Sequence, residues 1–122
     1  MGSRTDIPRG DGAAAERAAA RHLERAGLRV VARNYRSPFG EIDLVMRDGD
    51  ALVFVEVRFR AREDFGTPAE SVDRRKQQRL RATAEHFLQH DSRACNGPCR
   101  FDIVAITATD AGERIEWLRN AF

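Results

Sequence analysis

The stretch GEIDLVMRDGDALVFVEVR, residues 40–58, predicts two antiparallel strands joined by a tight turn. Its residues are mainly aliphatic and β-branched, and Asp48-Gly49 is a strong signal for a two-residue hairpin loop. Two acidic residues interrupt these apolar runs, Asp43 in the first strand and Glu56 in the second. Because an ionised carboxylate is costly to bury without a partner, the hairpin raises the question of what compensates them.

The position of the turn predicts which side chains share a face. With Asp48-Gly49 as the turn, Met46 faces Ala51, and Asp43 is a diagonal neighbour of Glu56, with Cβ atoms about 7 Å apart. One face of the hairpin is then entirely aliphatic, with Ile42, Leu44, Val53, Val55 and Val57. The opposite face holds Glu41, Asp43, Val45, Leu52, Phe54, Glu56 and Arg58.

Two neighbouring carboxylates repel each other, which raises a pKa unless a cation lies between them. Mg²⁺ suits such a pair, because it binds one or two carboxylates together with waters and phosphate oxygens. A bound ion of this kind activates water and stabilises charge on a phosphate under attack. The alternative is ordinary ion pairing, of Asp43 with Arg58 or another arginine and of Glu56 with Lys76. The residues themselves leave both interpretations open.

Length and composition indicate one globular domain. The chain has 122 residues, of which 42% are hydrophobic and 33% charged, and its net charge of +2 does not by itself indicate a nucleic-acid partner. All of its 21 basic residues are arginine except Lys76. No apolar run is long enough for a membrane span or a signal peptide, so we expect a cytoplasmic protein that does not enter the membrane.

The periodicity of the chain predicts an α/β fold with the order α-β-β-β-α-β-β, a mixed β-sheet flanked by helices. Residues 1–10 are predicted to be a flexible tail, and residues 11–122 a single domain. The predicted elements are a helix from Asp11 to Gly27, strands at 28–35, 41–47 and 50–58, a helix at 69–90, and strands within RFDIVAIT and RIEWLRNAF.

Several segments resemble the bacterial YraN-like family. These are GEIDLV, FVEVR, FGTPAESVDRRKQQRL and the ending RFDIVAI…NAF, and the similarity runs from GAAAERAA to the C-terminal NAF. That family is placed by resemblance in the PD-(D/E)xK nuclease superfamily, near the archaeal Holliday-junction resolvases. The resemblance implies a restriction-endonuclease-like fold and a metal-dependent endonuclease that hydrolyses phosphodiester bonds of DNA, including branched or junction DNA. Resolvase-like relatives pair as dimers, so a homodimer is a further expectation from the resemblance.

The resemblance implies a role for each matching residue. Asp43 corresponds to the motif's metal-binding aspartate and Glu56 to the acid of its E-x-K, with Mg²⁺ or Mn²⁺ as the cofactor. The backbone carbonyl of Val57 corresponds to a third metal ligand, and Glu16 to a first-helix glutamate that helps to hold the metal. The polar pair on the second helix corresponds to Lys76 and Gln77.

Arg58 departs from the pattern, because the motif usually has lysine at this place. Arginine stays protonated in proteins, so Arg58 can bind phosphate oxygens with its two-pronged guanidinium group but cannot act as a base. This substitution leaves open whether the protein is an enzyme. The alternatives are a catalytically weak module that binds nucleic acid or supports assembly, and a structural protein whose acids form only ion pairs.

Arginines around the second helix form the predicted phosphate-binding surface for DNA, since nucleic-acid affinity comes largely from contacts to the backbone phosphates. They are Arg60, Arg62, Arg74, Arg75 and Arg79. The alternative is a solvated helix face balanced by Asp73 and Glu85.

Two further groups of residues are interpreted as structural. The spacing of His86, His90, Cys95 and Cys99 can be drawn as a zinc site, but Gly97-Pro98 is typical of a plain turn, and zinc is disfavoured. The carboxylate of Asp102 is predicted to pair with Arg100 or Arg119.

Overall fold

The computed structural model describes residues 3–61, 66–94 and 96–122, with side chains described from Gly12 onward. The order of helices and strands is α-β-β-β-α-β-β, as predicted from the sequence. The elements are α1 Ser3–Arg25, β1 Arg29–Ser37, β2 Gly40–Asp48, β3 Ala51–Arg60, a 3₁₀ turn at Ala69–Ser71, α2 Arg74–His90, β4 Cys99–Thr109 and β5 Gly112–Leu118.

The five strands form one mixed sheet in the order β1-β2-β3-β4-β5. All neighbouring strands are antiparallel except β3 and β4, which run parallel. A parallel pair needs a crossover connection, and the segment containing α2 provides it. The predicted α/β class with a mixed sheet is therefore confirmed.

Each helix covers one face of the sheet. From α1, Ala19 and Leu23 are fully buried against a cluster that includes Val53 and Val55 of β3. From α2, Phe87 is fully buried in a second cluster on the other face, which includes Leu52 and Phe54 of β3. The central strand β3 thus contributes apolar side chains to both cores. This explains why its residues from Ala51 to Val55 are all apolar.

The register of the β2–β3 hairpin differs from the prediction by two residues. Asp48 pairs with Ala51 and Met46 with Val53, so the turn is Gly49-Asp50 and not Asp48-Gly49. Gly49 has φ 63°, which a tight hairpin turn requires and glycine adopts without steric cost. A shift of two residues leaves the side chains on their predicted faces, because they alternate with a period of two.

Ile42 is the exception to the predicted faces of the hairpin. It packs in the cluster beneath α2 together with Val45, whereas Leu44 packs on the α1 side. Ile42 lies beyond the last pair of β2 with β3 and pairs only with Tyr35 of β1, which packs in the same cluster, and the neighbouring Asn34 has φ 51°, so the alternation of faces is interrupted here. The prediction that Ile42 joins the aliphatic face was therefore wrong.

Both helices begin at other residues than predicted. α1 begins at Ser3 and not at Asp11. The sequence indicated a tail in this segment because Pro8 and two glycines disfavour a helix. The flexibility of residues 1–10 stays a prediction. α2 begins at Arg74 and not at residue 69, because Val72 is extended and buried and Asp73 caps the helix.

Neither helix, over the residues that the structure describes, is long and apolar enough to span a bilayer.

Candidate acidic site between β2 and β3

Asp43 and Glu56 lie where the pairing of β2 with β3 ends. The last paired residues are Leu44 and Val55, and one residue further on the carboxylate of Asp43 accepts a hydrogen bond from the Val57 N–H, at 2.8 Å from Oδ2 to nitrogen. A strand residue directs its N–H and C=O towards the same neighbour, so the Val57 carbonyl also faces β2. The side chain of Asp43 thus takes the place of a main-chain partner at this point of the sheet.

Glu56 is buried, with 5% of its surface exposed, and two cations approach it. Its Oε2 accepts a hydrogen bond from Arg58 Nη1 at 3.0 Å and lies 3.5 Å from Lys76 Nζ. The alternative raised from the sequence, an ion pair of Glu56 with Lys76, is therefore present. The predicted alternative pairing of Asp43 with Arg58 is not what the structure shows, because the Arg58 guanidinium is directed to Glu56, two residues away on the same strand.

Asp43 is held in a less favourable electrostatic environment. Burial, followed by the negative charge of Glu56, raises the pKa of Asp43 to about 7. The hydrogen bond from Val57 and the positive charge of Lys76 lower this pKa, and the charge of Glu16 raises it further. The nearby cations therefore compensate the pair of acids only in part, and Asp43 titrates close to neutral pH.

Glu16 of α1 is a third acidic residue near the site, and its negative charge acts on Asp43. It is half-buried on α1 and lines a cavity of about 350 Å³ together with Asn34 and Arg36. Over the described ranges, no three His, Cys, Asp or Glu side chains converge as a complete set of metal ligands. A metal here would consequently need the acidic pair together with main-chain oxygen and water.

Arg58 is fixed between Glu56 and the 3₁₀ turn that precedes α2. Its Nε donates to Ser71 Oγ at 3.2 Å and its Nη2 donates to the Ser71 carbonyl at 3.0 Å. The Ser71 hydroxyl in turn donates to the Pro68 carbonyl at 2.6 Å. Sequence reasoning missed Ser71, and a lone serine in a turn carried no signal that could have revealed it.

The first turn of α2 supplies Lys76 and Gln77. Asp73 begins this turn by accepting a hydrogen bond from the Lys76 N–H at 2.9 Å. The Lys76 ammonium group is directed to Glu56, whereas the Gln77 side chain donates to the Val72 carbonyl at 3.1 Å. Of the predicted polar pair, Lys76 reaches the acids and Gln77 secures the start of the helix.

The predicted phosphate-binding arginines are distributed between α2 and the end of β3. Arg74, Arg75 and Arg79 are exposed on the helix. Arg60 Nη2 donates to the Gly66 carbonyl at 2.8 Å. Arg62 lies outside the described residues.

Asp102 is a fully buried carboxylate with a structural set of partners. It accepts hydrogen bonds from Arg100 Nε at 3.0 Å, from Trp117 Nε1 at 2.9 Å and from the Asn120 N–H at 2.9 Å. The predicted pairing with Arg100 is observed, whereas the Arg119 guanidinium lies over the Trp117 ring, 4.0 Å from its centre. Both carboxylate oxygens of Asp102 thus accept hydrogen bonds from other residues of the domain.

The residues of the disfavoured zinc site have other contacts. His86 Nδ1 forms a hydrogen bond with the Tyr35 hydroxyl at 2.6 Å, and His90 Nδ1 lies 2.9 Å from the His86 carbonyl. Cys99 Sγ donates to the Gly97 carbonyl at 3.9 Å. Cys95 lies outside the described residues.

The fold and the site define an α/β protein whose acidic pair lies where two neighbouring strands of a mixed sheet separate. The model of the uncharacterised protein family UPF0102 matches residues 15–106, and the chain belongs to this family, which is the YraN-like family of the sequence resemblance. It is 50% identical to a UPF0102 protein of Ectopseudomonas mendocina over 122 residues, covering 100% of this chain and 98% of that protein. It is 53% identical to one of Saccharophagus degradans over 111 residues, covering 91% of each. A UPF0102 protein of Nitrosococcus oceani is 47% identical over 114 residues, covering 93% of this chain and 92% of that protein.

Proposed function

We propose that this protein is a metal-dependent endonuclease of the PD-(D/E)xK type, which hydrolyses phosphodiester bonds of branched or junction DNA in the cytoplasm. The observation that carries the proposal is the meeting of Asp43 and Glu56 at the end of the β2–β3 pairing, with the main chain of Val57 between them. A restriction-endonuclease-like arrangement of the mixed sheet is part of the same proposal.

The donor atoms at this place suit Mg²⁺ or Mn²⁺. Carboxylate and carbonyl oxygens are the ligands that these hard cations prefer, and Asp43, Glu56 and the Val57 carbonyl provide them. The raised pKa of Asp43 supports a cation as the missing compensation, because like charges and burial are its main causes. Glu16 would hold the ion through a water molecule. When bound, the ion would supply an activated water and stabilise negative charge on the phosphate.

The remaining residues of the site orient the acids and the substrate. Lys76 and Arg58 hold the Glu56 carboxylate in one orientation, and Gln77 secures the helix that carries Lys76. The ammonium group of Lys76 can also donate hydrogen bonds to the attacking water or to a phosphate oxygen. Around them, Arg60, Arg62, Arg74, Arg75 and Arg79 would bind backbone phosphates of the DNA.

One observation favours a second candidate, a module on the same fold that binds nucleic acid with little or no turnover. Arg58 stands where the motif has lysine, and three of its N–H groups already bind Glu56 and Ser71. In this case the arginines of α2 would bind nucleic acid while the acidic pair stays an ion-pair cluster. The two candidates differ in metal binding and in cleavage.

A metal titration distinguishes a cation site from an ion-pair cluster. Mg²⁺ or Mn²⁺ at a large excess over its dissociation constant should raise the melting temperature of the wild type by about 5 °C. Glu56→Gln should abolish this shift, whereas Glu113→Gln, a change at an exposed acid of β5, should retain it. An equal shift in all three proteins would remove the basis for the metal site.

A cleavage assay tests the reaction itself. Four-way junction, flap, linear duplex and single-stranded DNA should be incubated with Mn²⁺ and wild type, Asp43→Asn or Glu56→Gln protein. The nuclease proposal expects cleavage of a branched substrate by the wild type only. Binding without cleavage, equal in all three proteins and steeply dependent on salt, would favour the binding module. Sedimentation of the protein with junction DNA would show whether a homodimer is the active form.

A further inference from the structure

A second, strongly basic cleft lies where the edge strand β1, the end of β2 and the segment after α2 meet. Arg29, Arg47, Ser92 and Arg93 line it, together with the apolar residues Val30, Val31 and Ala94. Its volume is about 550 Å³, more than that of the cavity beside Glu16. Nothing in the proposed nuclease chemistry uses this cleft.

The register of β1 and β2 places two arginines directly opposite each other. Arg29 pairs with Arg47 across the antiparallel strands. The neighbouring pair, Val30 and Met46, packs on the α1 side, so both arginines project to the other face, towards the segment after α2. Like charges directly opposite each other destabilise a sheet, unless an anion is bound between them.

Arg93 brings a third guanidinium group to the cleft and is held by several hydrogen bonds. Its Nη1 donates to the Val31 carbonyl at 2.8 Å, and its Nε and Nη2 donate to Asp91 at 2.8 and 2.7 Å. Arg47 Nη2 donates to the Arg93 carbonyl at 3.3 Å, which ties β2 to the same segment. The segment is thus fixed against both strands, and Asp91 pairs with Arg93.

We infer that this cleft is a binding site for a phosphate group. Guanidinium groups present paired N–H donors that match the oxygens of phosphate, and a preformed set loses little entropy on binding. The volume of the cleft exceeds that of a single phosphate, so a larger molecule that carries the group also fits. A phosphorylated small molecule and the backbone of a nucleic acid both present this chemistry.

The phosphate cleft is separate from the acidic site. Lys76 of the acidic site lies in the first turn of α2, whereas Ser92 and Arg93 follow its last residue, His90. A helix of 17 residues spans about 25 Å, so a ligand in the cleft does not touch the acids. The inference therefore holds whether or not the protein is a nuclease.

The test uses Arg29→Gln, which removes one charge from an exposed side chain, with Arg33→Gln on the same strand as the matched control. Pyrophosphate and a single-stranded oligonucleotide are titrated into each protein by calorimetry, with EDTA present so that no divalent ion occupies the acidic site. Loss of a charge-assisted contact should weaken binding about tenfold in Arg29→Gln and leave Arg33→Gln unchanged.

Each outcome decides one part of the inference. Weaker binding of both ligands by Arg29→Gln supports the site and identifies a nucleic-acid backbone as its ligand. Weaker binding of pyrophosphate alone supports the site and identifies a small phosphorylated molecule. Absence of binding to the wild type, or equal affinity of all three proteins, overturns it. Asp43→Asn should bind pyrophosphate like the wild type, which separates this result from any failure of the nuclease proposal.

Discussion

The carboxyl group of Asp43 couples the stability of this protein to pH. Its pKa is raised from 3.8 to about 7, first by burial and then by the charge of Glu56. Between these two values the folded state keeps a proton that the unfolded chain releases. The contribution of this group to the free energy of unfolding is therefore fully present below about pH 4, and it is lost as the pH rises through 7.

Replacing Asp43 with asparagine should stabilise the protein at pH 8, because the amide keeps an oxygen for the Val57 N–H and carries no charge. We expect a gain on the order of 2 kcal/mol, which allows for the partial exposure of the side chain. Urea denaturation at pH 5 and pH 8 measures it, and the difference between the wild type and the variant should be smaller at pH 5, because the effect of the Asp43 charge disappears only below about pH 4. A variant that is less stable than the wild type at pH 8 would contradict this account of Asp43.

In the proposed nuclease, Arg58 would limit the reaction if proton transfer at its position is needed. Arg58→Lys replaces three directed N–H contacts with a single ammonium group, so it should cost about 1 kcal/mol of stability. The same change should raise Mn²⁺-dependent cleavage of a branched substrate, because lysine can lose a proton near a metal. Rates and urea denaturation should be measured together. Unchanged cleavage with the expected loss of stability would leave Arg58 a purely structural residue.

At the scale of elements, the stability of α2 depends on its N-cap residue, Asp73. Asp73 caps the helix by accepting the Lys76 N–H, and it thereby fixes the turn from which Lys76 reaches Glu56. Asp73→Ala should cost about 1 kcal/mol in urea denaturation, whereas Asp73→Ser, which keeps a capping oxygen, should cost much less. If alanine and serine behave alike, the cap contributes little to the stability of the helix.

The type and order of the elements could be predicted from the sequence, but their boundaries and register could not. Alternation and turn residues identified the strands, because these signals are local. The hairpin loop was displaced by one residue, since both Asp48-Gly49 and Gly49-Asp50 satisfy the preference of a tight turn for glycine and aspartate. Likewise, α2 begins later than predicted because Val72 is extended and buried in the second core, and this burial does not follow from local helix propensity.

At the scale of the whole molecule, Asp102 joins β4, β5 and the C-terminal segment. Its carboxylate binds Arg100, Trp117 and the Asn120 main chain in a fully buried position. Asp102→Ala would leave these donors without their acceptor, so we expect a loss of about 3–5 kcal/mol. The fluorescence of Trp117, the single tryptophan, reports the unfolding transition. Glu113→Ala, at an exposed position of β5, is the control and should change stability little.

The position of the acidic pair could be predicted, but the arrangement of its cations could not. Asp43 and Glu56 stood out because each interrupts an apolar run, and Lys76 because it is the single lysine. The bond from Arg58 to Ser71 joins β3 to a turn 13 residues away, and no local pattern encodes such a contact. The opposition of Arg29 and Arg47 likewise depends on the β1–β2 register, which shifts at an irregularity between Val30 and Ala32.

The single parallel pairing, β3 with β4, has a consequence for the kinetics of folding. β1, β2 and β3 are sequential antiparallel neighbours and can associate through short loops, whereas β4 can join only after the long crossover through α2 has closed. The two repelling carboxylates of β2 and β3 are therefore brought together before the ammonium group of Lys76 arrives. We expect refolding in stopped-flow experiments to be faster at pH 5.5 than at pH 8, and Asp43→Asn to remove most of that difference.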